Sequence, residues 1–358
     1  MAPMIRGYAK HYIDKNWDAI WLSWNDDPST TVVINWHWGQ KRVAYIQVWN
    51  TTHRWIVTIE NETTLFHVEL RNLSPGCKYN YVIGYYDGEI MRNWSDIHWF
   101  KTAPREATSF RVLIHSDTHA PSYGAFGKFI GIAKKEEFDF IIHCGDMVDR
   151  GYEVNWAYFL SKETEIASNH QLMAIAGNHE VMYGGKERYA TYMALPGREY
   201  WYSFVYSNAM FVALYVADYD NFTFPEEEEE MFIEAMEYAE RNNLWKIVYF
   251  HIPIVDVFPQ HYHLDMPKIL FPLLNKYKPH VVIMGHNHIY GRMQINETTY
   301  IIVSSTGGIP GVIVSKPGAL ERYNFGYGYL LMDVYGERID FTYKDLDGNI
   351  VDIFSVLR

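Results

Sequence analysis

Five apolar segments between residues 110 and 290 each lead directly into aspartate, asparagine or histidine. The segments are rich in β-branched residues and alternate with stretches of helical spacing, which predicts a layered α/β domain. In such domains, ligands bind beyond the carboxyl ends of the strands. We therefore expect the polar side chains after the five segments to meet at one edge. The motifs are Asp117-Thr118-His119, Gly145-Asp146-Met147-Val148-Asp149-Arg150, Gly177-Asn178-His179-Glu180, His251 and Gly285-His286-Asn287-His288.

The first hundred residues have a different pattern. Short aromatic and β-branched runs, such as 31–38 and 43–50, are separated by turn residues. Regularly spaced short strands of this kind predict an all-β sandwich. We therefore divide the chain into an all-β domain at 1–104 and an α/β domain at 105–358.

Composition narrows the choice of partners. The net charge of −12 argues against nucleic acid as a stable partner, since phosphate backbones are bound by clustered Lys and Arg. No apolar run approaches the roughly 20 residues that span a bilayer.

The first residues lack the apolar core of a signal peptide, which favours the cytoplasm, whereas six N-x-S/T sequons favour an extracytoplasmic location. Both compartments therefore stay open.

Seven of the side chains after the apolar segments are of types that bind metal ions. They are Asp117, His119, Asp146, Asn178, His251, His286 and His288. Mixed imidazole and carboxylate ligands suit Mn, Zn, Fe, Co or Ni. Seven ligands exceed the needs of one divalent ion and suit two ions that share a carboxylate. Because alternate side chains of an extended segment face the same way, His286 and His288 can reach one ion each. The sequence therefore predicts two divalent transition metal ions.

In this order, D-x-H, GD-x-x-D-R, GNHE, a lone histidine and GHxH closely resemble the calcineurin-like metallophosphoesterase superfamily. The resemblance covers about residues 109–320 and implies a four-layer α/β/β/α sandwich. The stretch VELRNLSPGCKYNYVIGY at 68–85 resembles a fibronectin type III domain. An all-β domain of this kind in front of the catalytic domain resembles the layout of purple acid phosphatases.

The resemblance also implies a role for each site residue. The implied ligands are Asp117, His119 and His288 for one ion, Asn178, His251 and His286 for the other, and Asp146 as the bridge. His179 is implied to face the substrate without binding metal, and Asp149 resembles the acidic partner that orients it.

Two positions depart from the purple acid phosphatase pattern. His119 stands where those enzymes have glycine, and Asp149 stands where they have a tyrosine ligand. Without a tyrosinate ligand, we expect divalent metals and no visible charge-transfer band. The D-x-H class also includes cyclic-nucleotide phosphodiesterases, and GDMVDRG with GNHE resembles part of the Ser/Thr protein phosphatases.

We predict a phosphatase that hydrolyses phosphomonoesters, either small molecules or phosphoproteins. Two metal ions would clamp the phosphoryl group, and a metal-bound hydroxide would attack phosphorus in line. His179 would serve as the acid for the leaving group, oriented by Asp149, and Arg150 would hold phosphate oxygens. His261 and His263 are further candidate substrate contacts.

Two alternatives stay open. The first is a phosphodiesterase that acts on cyclic nucleotides or glycerophosphodiesters, since D-x-H with GHxH is common there. The second is a non-catalytic binding or adhesion protein with a degenerate enzyme domain, against which the complete set of ligand positions argues. The sequence does not fix the oligomeric state, and we assume a monomer.

Overall fold

The computed structural model describes residues 17–121, 124–182, 185–217, 223–255, 265–311 and 320–358. The strands of the N-terminal domain are β1 Ala19–Ser23, β2 Val32–Trp49, β3 Arg54–Leu70, β4 Lys78–Asp87, β5 Ile90–Asn93 and β6 His98–Lys101. The strands that follow are β7 Phe110–His115, β8 Phe140–His143, β9 Gln171–Ala174, β10 Tyr202–Tyr206, β11 Ala209–Ala213, β12 Trp245–Tyr249, β13 Val281–Met284, β14 Ile289–Ile295, β15 Thr298–Ile302, β16 Leu320–Phe325, β17 Gly328–Val334, β18 Arg338–Asp345 and β19 Ile350–Leu357. The helices are α1 Ala125–Ala133, α2 Glu153–Ala167, α3 Asn178–Val181, α4 Gly185–Tyr192, α5 Glu226–Arg241 and α6 Asp265–Tyr277.

The N-terminal domain is built from antiparallel strands with an aromatic core. β2 pairs with β1, β3 and β4, and β4 pairs in turn with β5 and β6. Trp36 on β2 stacks on Phe66 of β3 with ring centroids 4.4 Å apart, and Tyr79 stacks on Phe100 at 5.2 Å. Such stacked rings bury large apolar areas in a small volume. The runs at 31–38 and 43–50, expected as separate short strands, form one 18-residue strand, β2, whose pairing with β3 shifts register near Arg42. The all-β prediction for this part of the chain is confirmed.

The second domain contains two sheets that face each other. The first has the order β19-β18-β17-β7-β8-β9, and the second has the order β10-β11-β12-β13-β15-β14-β16. Phe140 of β8 contacts Phe211 of β11 between the sheets, with ring centroids 5.3 Å apart. Helices cover the outer faces, because Phe159 of α2 packs on His143 of β8 while α5 packs on β10 to β12. The predicted four-layer α/β/β/α arrangement is confirmed.

The two domains are joined by a shared sheet. Leu22 of β1 pairs with Gln171 of β9 in parallel, so the first sheet continues into the N-terminal domain. Helix α2 lies against this junction, where Thr164 Oγ1 accepts a hydrogen bond from Ile20 N at 2.9 Å. No helix among the described residues is long and apolar enough to cross a lipid bilayer.

Candidate metal centre

The ends of β7, β8, β12 and β13 bring the predicted ligands into two groups that share one residue. The first ligand group is Asp117, His119, Asp146 and His288, whose ligand atoms all lie within 4.8 Å of one another. The second ligand group is Asp146, His251 and His286, under the same limit, together with the Asn178 side chain described below. Asp146 belongs to both groups, so it lies between two clusters of nitrogen and oxygen ligands.

Five of these side chains are carried by backbone in the left-handed region. The φ angles are 52° at Asp117, 45° at His119, 55° at Asp146, 72° at His286 and 53° at His288. Side-chain crowding makes this region costly for residues other than glycine, by about 1–3 kcal/mol each. The turns bend the chain sharply after each strand and direct the side chains into the site. Concentrated strain of this kind is typical of functional sites.

Two glycines let the strand-end loops approach one another closely. A methyl group at Gly145 would collide with the His251 ring, and Gly145 itself has φ of 88°. A methyl group at Gly285 would collide with Ser116 Oγ. Larger residues at these positions would force apart the loops that carry the ligands.

In the first ligand group, the imidazole nitrogens point at a common position. His119 Nε2 lies 2.9 Å from His288 Nε2 and 3.4 Å from Asp146 Oδ2. His288 Nε2 lies 3.3 Å from Asp117 Oδ1. His288 Nδ1 lies 2.6 Å from the main-chain oxygen of Ile309. Because a carbonyl oxygen only accepts, Nδ1 carries a proton, and the neutral form of His288 would present the Nε2 lone pair to a metal ion.

The second ligand group is arranged in the same way around Asn178. Its Oδ1 lies 3.1 Å from His251 Nε2 and 3.1 Å from His286 Nδ1. His251 Nε2 is also 3.2 Å from Asp146 Oδ2. The other ring nitrogen of His251 lies 2.7 Å from the main-chain oxygen of Cys144, which fixes its proton on Nδ1. His251 therefore also turns Nε2 towards the shared carboxylate.

The two aspartates of the site are buried and anionic. Burial raises the pKa of Asp146, but His251, His179 and His119 outweigh burial and hold it well below its usual range. Burial likewise opposes ionisation of Asp117, yet the facing His288 lowers its pKa overall. Buried carboxylates surrounded by imidazoles are the ligand chemistry of Zn, Mn, Fe, Co and Ni sites. The residues present therefore fit a pair of divalent metal ions.

His179 lies beside the first ligand group. Its ring centroid is 4.3 Å from that of His119, and its Nδ1 lies 2.6 Å from the main-chain oxygen of Asp149. Burial lowers the pKa of His179, but Asp146, the bond to Asp149 and Glu180 outweigh burial and raise it. The Asp149 carboxylate is 3.7 Å from His119 Nδ1 and 3.9 Å from Arg150 Nε. Asp149 thus contacts two histidines of the site, one through its main chain.

Three predicted substrate contacts remain, and the structure describes one of them. The Arg150 side chain is half exposed and lies next to the site. His261 and His263 lie outside the described residues.

Glu180 is a site residue to which the sequence analysis gave no role. It is fully buried, and its carboxylate accepts hydrogen bonds from the main-chain nitrogens of Asp146 and Gly177 at 2.7 Å and Val148 at 2.9 Å. Burial and the nearby Asp146 raise the pKa of Glu180 to about 7. Glu180 therefore ties the loop after β8 to the loop after β9. Its position at the end of the GNHE motif is the sequence signal for it.

Comparison with known families covers both domains. The calcineurin-like phosphoesterase family matches residues 110–290, and the N-terminal domain of purple acid phosphatases matches residues 18–102. The first range contains every residue of the two ligand groups and His179. The resemblance inferred from the motifs is therefore confirmed in both parts of the chain.

Similar solved structures share this fold. A purple acid phosphatase from yellow lupin (Lupinus luteus) seeds superimposes with a TM-score of 0.82 at 18% identity, covering 97% of this chain and 75% of that one. PhoD superimposes with a TM-score of 0.71 at 14% identity, covering 96% of this chain and 89% of that one. At these identities, the similarity establishes the fold alone.

A relative from Arabidopsis thaliana, named "Probable inactive purple acid phosphatase 1", is 22% identical over 353 residues. The match covers 81% of this chain and 57% of the relative, so the chain spans little more than half of the relative's length. The family match, the fold and the paired ligand groups agree, and the chain belongs to the calcineurin-like phosphoesterase family, with a purple acid phosphatase N-terminal domain in front.

Proposed function

We propose that this chain is a phosphoric ester hydrolase that uses two divalent metal ions and prefers phosphomonoesters. The observation that carries the proposal is the position of Asp146. Its Oδ2 lies 3.4 Å from His119 Nε2 on one side and 3.2 Å from His251 Nε2 on the other. A carboxylate oxygen in this position can bridge two ions, which is the arrangement of two-metal phosphoryl transfer sites.

The chain supplies separate ligands for each ion. Asp117, His119 and His288 would hold one ion, Asn178, His251 and His286 would hold the other, and Asp146 would bind both. When bound, two such ions stabilise the charge on the phosphoryl oxygens and provide a nucleophile at neutral pH.

His179 is the proposed general acid. Its Nδ1 proton is committed to the main-chain oxygen of Asp149, so a second proton on Nε2 is the one available for transfer. Nε2 lies 4.0 Å from Asp146 Oδ2 and therefore faces the site. Proton donation to a leaving alkoxide by a positioned histidine contributes about 10²–10⁴-fold in rate.

Arg150 supports the preference for monoesters. Its half-exposed guanidinium follows Asp149 directly, at the rim of the first ligand group. A guanidinium can donate two parallel hydrogen bonds to non-bridging phosphate oxygens. A monoester has one more such oxygen, and one more negative charge, than a diester. We therefore expect Arg150 to favour the monoester.

The convergence of the seven candidate ligands argues against a purely non-catalytic role. The Arabidopsis relative is named inactive, but a name given to a protein of 22% identity does not decide the chemistry of these side chains. In this chain, each position expected to bind metal carries a residue able to do so. A binding protein without catalysis would have no need for two buried carboxylates among four histidines.

The test compares two aryl esters with the Mn²⁺-loaded protein. Metal content is measured by elemental analysis, and kcat/KM is measured for p-nitrophenyl phosphate and bis-p-nitrophenyl phosphate. We expect about two ions per chain and a preference for the monoester of at least about tenfold, the worth of one charge-assisted hydrogen bond. Faster hydrolysis of the diester would make the protein a phosphodiesterase. Hydrolysis of neither ester by the metal-loaded protein would contradict the proposed function.

A further inference from the structure

A chain of buried polar side chains lies behind the turn that carries Asp117 and His119. Thr118, between these two residues, is 1% exposed. Its hydroxyl oxygen is 2.9 Å from His143 Nε2 and 3.1 Å from Thr306 Oγ1. The middle residue of the turn is therefore anchored to the protein interior by its side chain.

The contacts continue away from the site towards helix α2. Thr306 Oγ1 donates to the main-chain oxygen of Ser116 at 3.1 Å and lies 3.5 Å from His115 Nδ1. His115 Nε2 is in turn 3.3 Å from Oε1 of Glu163 on α2. The side chains of Thr306, His115 and Glu163 are all fully buried. We call Thr118, His143, Thr306, His115 and Glu163 the buried polar chain.

The fold does not require polar groups at these positions. Buried ionisable groups stabilise a protein less than well-packed apolar side chains of similar size. The contact between His115 Nε2 and Glu163 Oε1 lacks hydrogen-bond geometry, so these two atoms, Glu163 Oε2 and His143 Nδ1 have no hydrogen-bond partner among the described residues. Groups that are costly to bury and only partly paired indicate a role other than stability.

The hydrogen bonds nearest the site can have one consistent direction. A carbonyl oxygen only accepts, so Thr306 gives its hydroxyl hydrogen to Ser116 and can accept from Thr118. Thr118 can then accept from His143 Nε2. Burial and the neighbouring His115 lower the pKa of His143 well below its usual range, so the ring is neutral with one proton. A donor and an acceptor on either side hold the Thr118 hydroxyl in one orientation.

The hydrogen bonds of Thr118 hold a turn whose backbone is strained. The φ angles of 52° at Asp117 and 45° at His119 flank Thr118 on both sides. The main-chain oxygen of Asp117 also accepts hydrogen bonds from Ser305 Oγ and Gly308 N, both at 2.8 Å. Left-handed conformations persist only where surrounding contacts hold them. The Thr118 side chain is one of these contacts, and it lies between two candidate ligands.

We propose that the Thr118 hydroxyl, with His143 and Thr306, forms a positioning group that holds Asp117 and His119 in the geometry needed by the first ion. The proposal rests on the proposed function, because it takes these two residues as metal ligands. None of the three positioning residues belongs to either ligand group. They act through the main chain of the turn, as outer-shell partners act on metal ligands elsewhere.

The test removes the hydroxyl and then restores it. Thr118→Val keeps the shape of the side chain but loses the hydrogen bonds, and Thr118→Ser keeps the hydroxyl. Mn²⁺ binding to the metal-free protein is measured by isothermal titration calorimetry. We expect Thr118→Val to weaken one of the two binding steps about 10–100-fold. We expect Thr118→Ser to bind within about threefold of the native protein.

A second pair of variants and a control variant distinguish the loss of ligand positioning from a general loss of stability. Thr306→Val and Thr306→Ser repeat the test if Thr118→Val does not fold. Thr298→Val is the control, because Thr298 is also buried and donates to the main-chain oxygen of Pro279 at 2.7 Å, away from the buried polar chain. We expect the control to lower the melting temperature and leave Mn²⁺ affinity unchanged.

Several results would overturn the proposal. Native-like Mn²⁺ affinity in both valine variants would show that the hydroxyls do not position the ligands. Equal weakening by serine and valine, or by the Thr298 control, would show that the effect is not specific to the hydroxyl of the turn. A native protein that binds no Mn²⁺ would overturn the proposed function as well, whereas the other results leave that function intact.

Discussion

The N-terminal domain and the strand-end edge of the second domain bury opposite kinds of side chain. In the N-terminal domain, Trp36 and its neighbours are packed ring against ring. At the strand-end edge, Asp117 and Asp146 are buried among histidines. Within residues 17–101, Asn72 is the one non-glycine residue with left-handed backbone, and it is exposed. Five candidate ligands share that conformation at the strand-end edge.

This difference separates what stabilises the fold from what performs the chemistry. Apolar burial contributes to stability whatever is bound, at roughly 25 cal/mol per Å². At the strand ends, the strained turns oppose folding, and the buried carboxylates are compensated by the histidines that face them. Substitutions in the aromatic core should therefore reduce stability and leave the chemistry intact, whereas substitutions at the strand ends should abolish metal binding and hydrolysis.

Asp146→Asn should give the largest effect, because Asp146 belongs to both ligand groups. The amide keeps the shape but loses the charge that two cations need. We expect both ions to be lost and phosphate ester hydrolysis to fall by about 10⁴-fold or more. The melting temperature of the metal-free protein should fall, since the histidines that face Asp146 lose the anion that pairs with them. Retention of two ions per chain in elemental analysis would contradict the bridging role.

His179→Ala should keep the metals and lose the acid. We expect about two ions per chain and a fall in kcat of about 10²–10⁴-fold. The loss should be larger for alkyl phosphates than for p-nitrophenyl phosphate, because an alkoxide needs a proton more than a nitrophenolate does. Equal losses for both substrates, or an unchanged kcat, would rule out His179 as the acid.

Trp36→Ala removes a ring from the aromatic core of the N-terminal domain. Trp36 is fully buried and stacks on Phe66 at 4.4 Å, so the substitution leaves a large cavity. We expect the free energy of unfolding to fall by about 3–5 kcal/mol. At a temperature where the variant stays folded, metal content and kcat/KM should equal those of the native protein. A loss of metal from the folded variant would show that the N-terminal domain also shapes the site.

The convergence of the candidate ligands could be predicted from sequence because its signal is local. Asp146 and His251 each follow an apolar run, and the carboxyl ends of neighbouring parallel strands meet at one edge. The residue types that bind metal are few, so their repeated occurrence after strands is informative. The pattern of apolar runs also predicted a layered α/β domain and an all-β N-terminal domain, and the family resemblance added the four-layer arrangement.

Local conformation and long-range contacts could not be predicted in this way. We expected an extended segment in which His286 and His288 face the same way, but the backbone is left-handed at both residues, with φ of 72° and 53°. Asp149 contacts His179 through a main-chain oxygen, which any residue would supply. Thr118 and His143 are 25 positions apart, and no pattern in the sequence links them.

The smallest expected effect concerns Glu228, a buried acid whose charge no histidine among the described residues compensates. Glu228 of α5 is fully buried, and its Oε1 accepts a hydrogen bond from Tyr215 N. Burial raises the pKa of Glu228 to about 8, so the folded state holds the proton that the unfolded chain releases near pH 4.5. Stability from this group is therefore complete below about pH 4.5 and is lost as the pH rises through about 8.

Glu228→Gln removes this ionisation and keeps an acceptor for Tyr215. We expect the difference in melting temperature, variant minus native, to increase from pH 5 to pH 8.5. The increase should correspond to about 1–3 kcal/mol in the free energy of unfolding. Glu227→Gln is the matched control, because Glu227 is exposed in the same helical turn and carries the same charge. Parallel pH profiles for Glu228→Gln and the native protein would mean that the buried acid is already compensated. Glu228 would then resemble Asp146, whose charge is compensated by histidines that hold its pKa low.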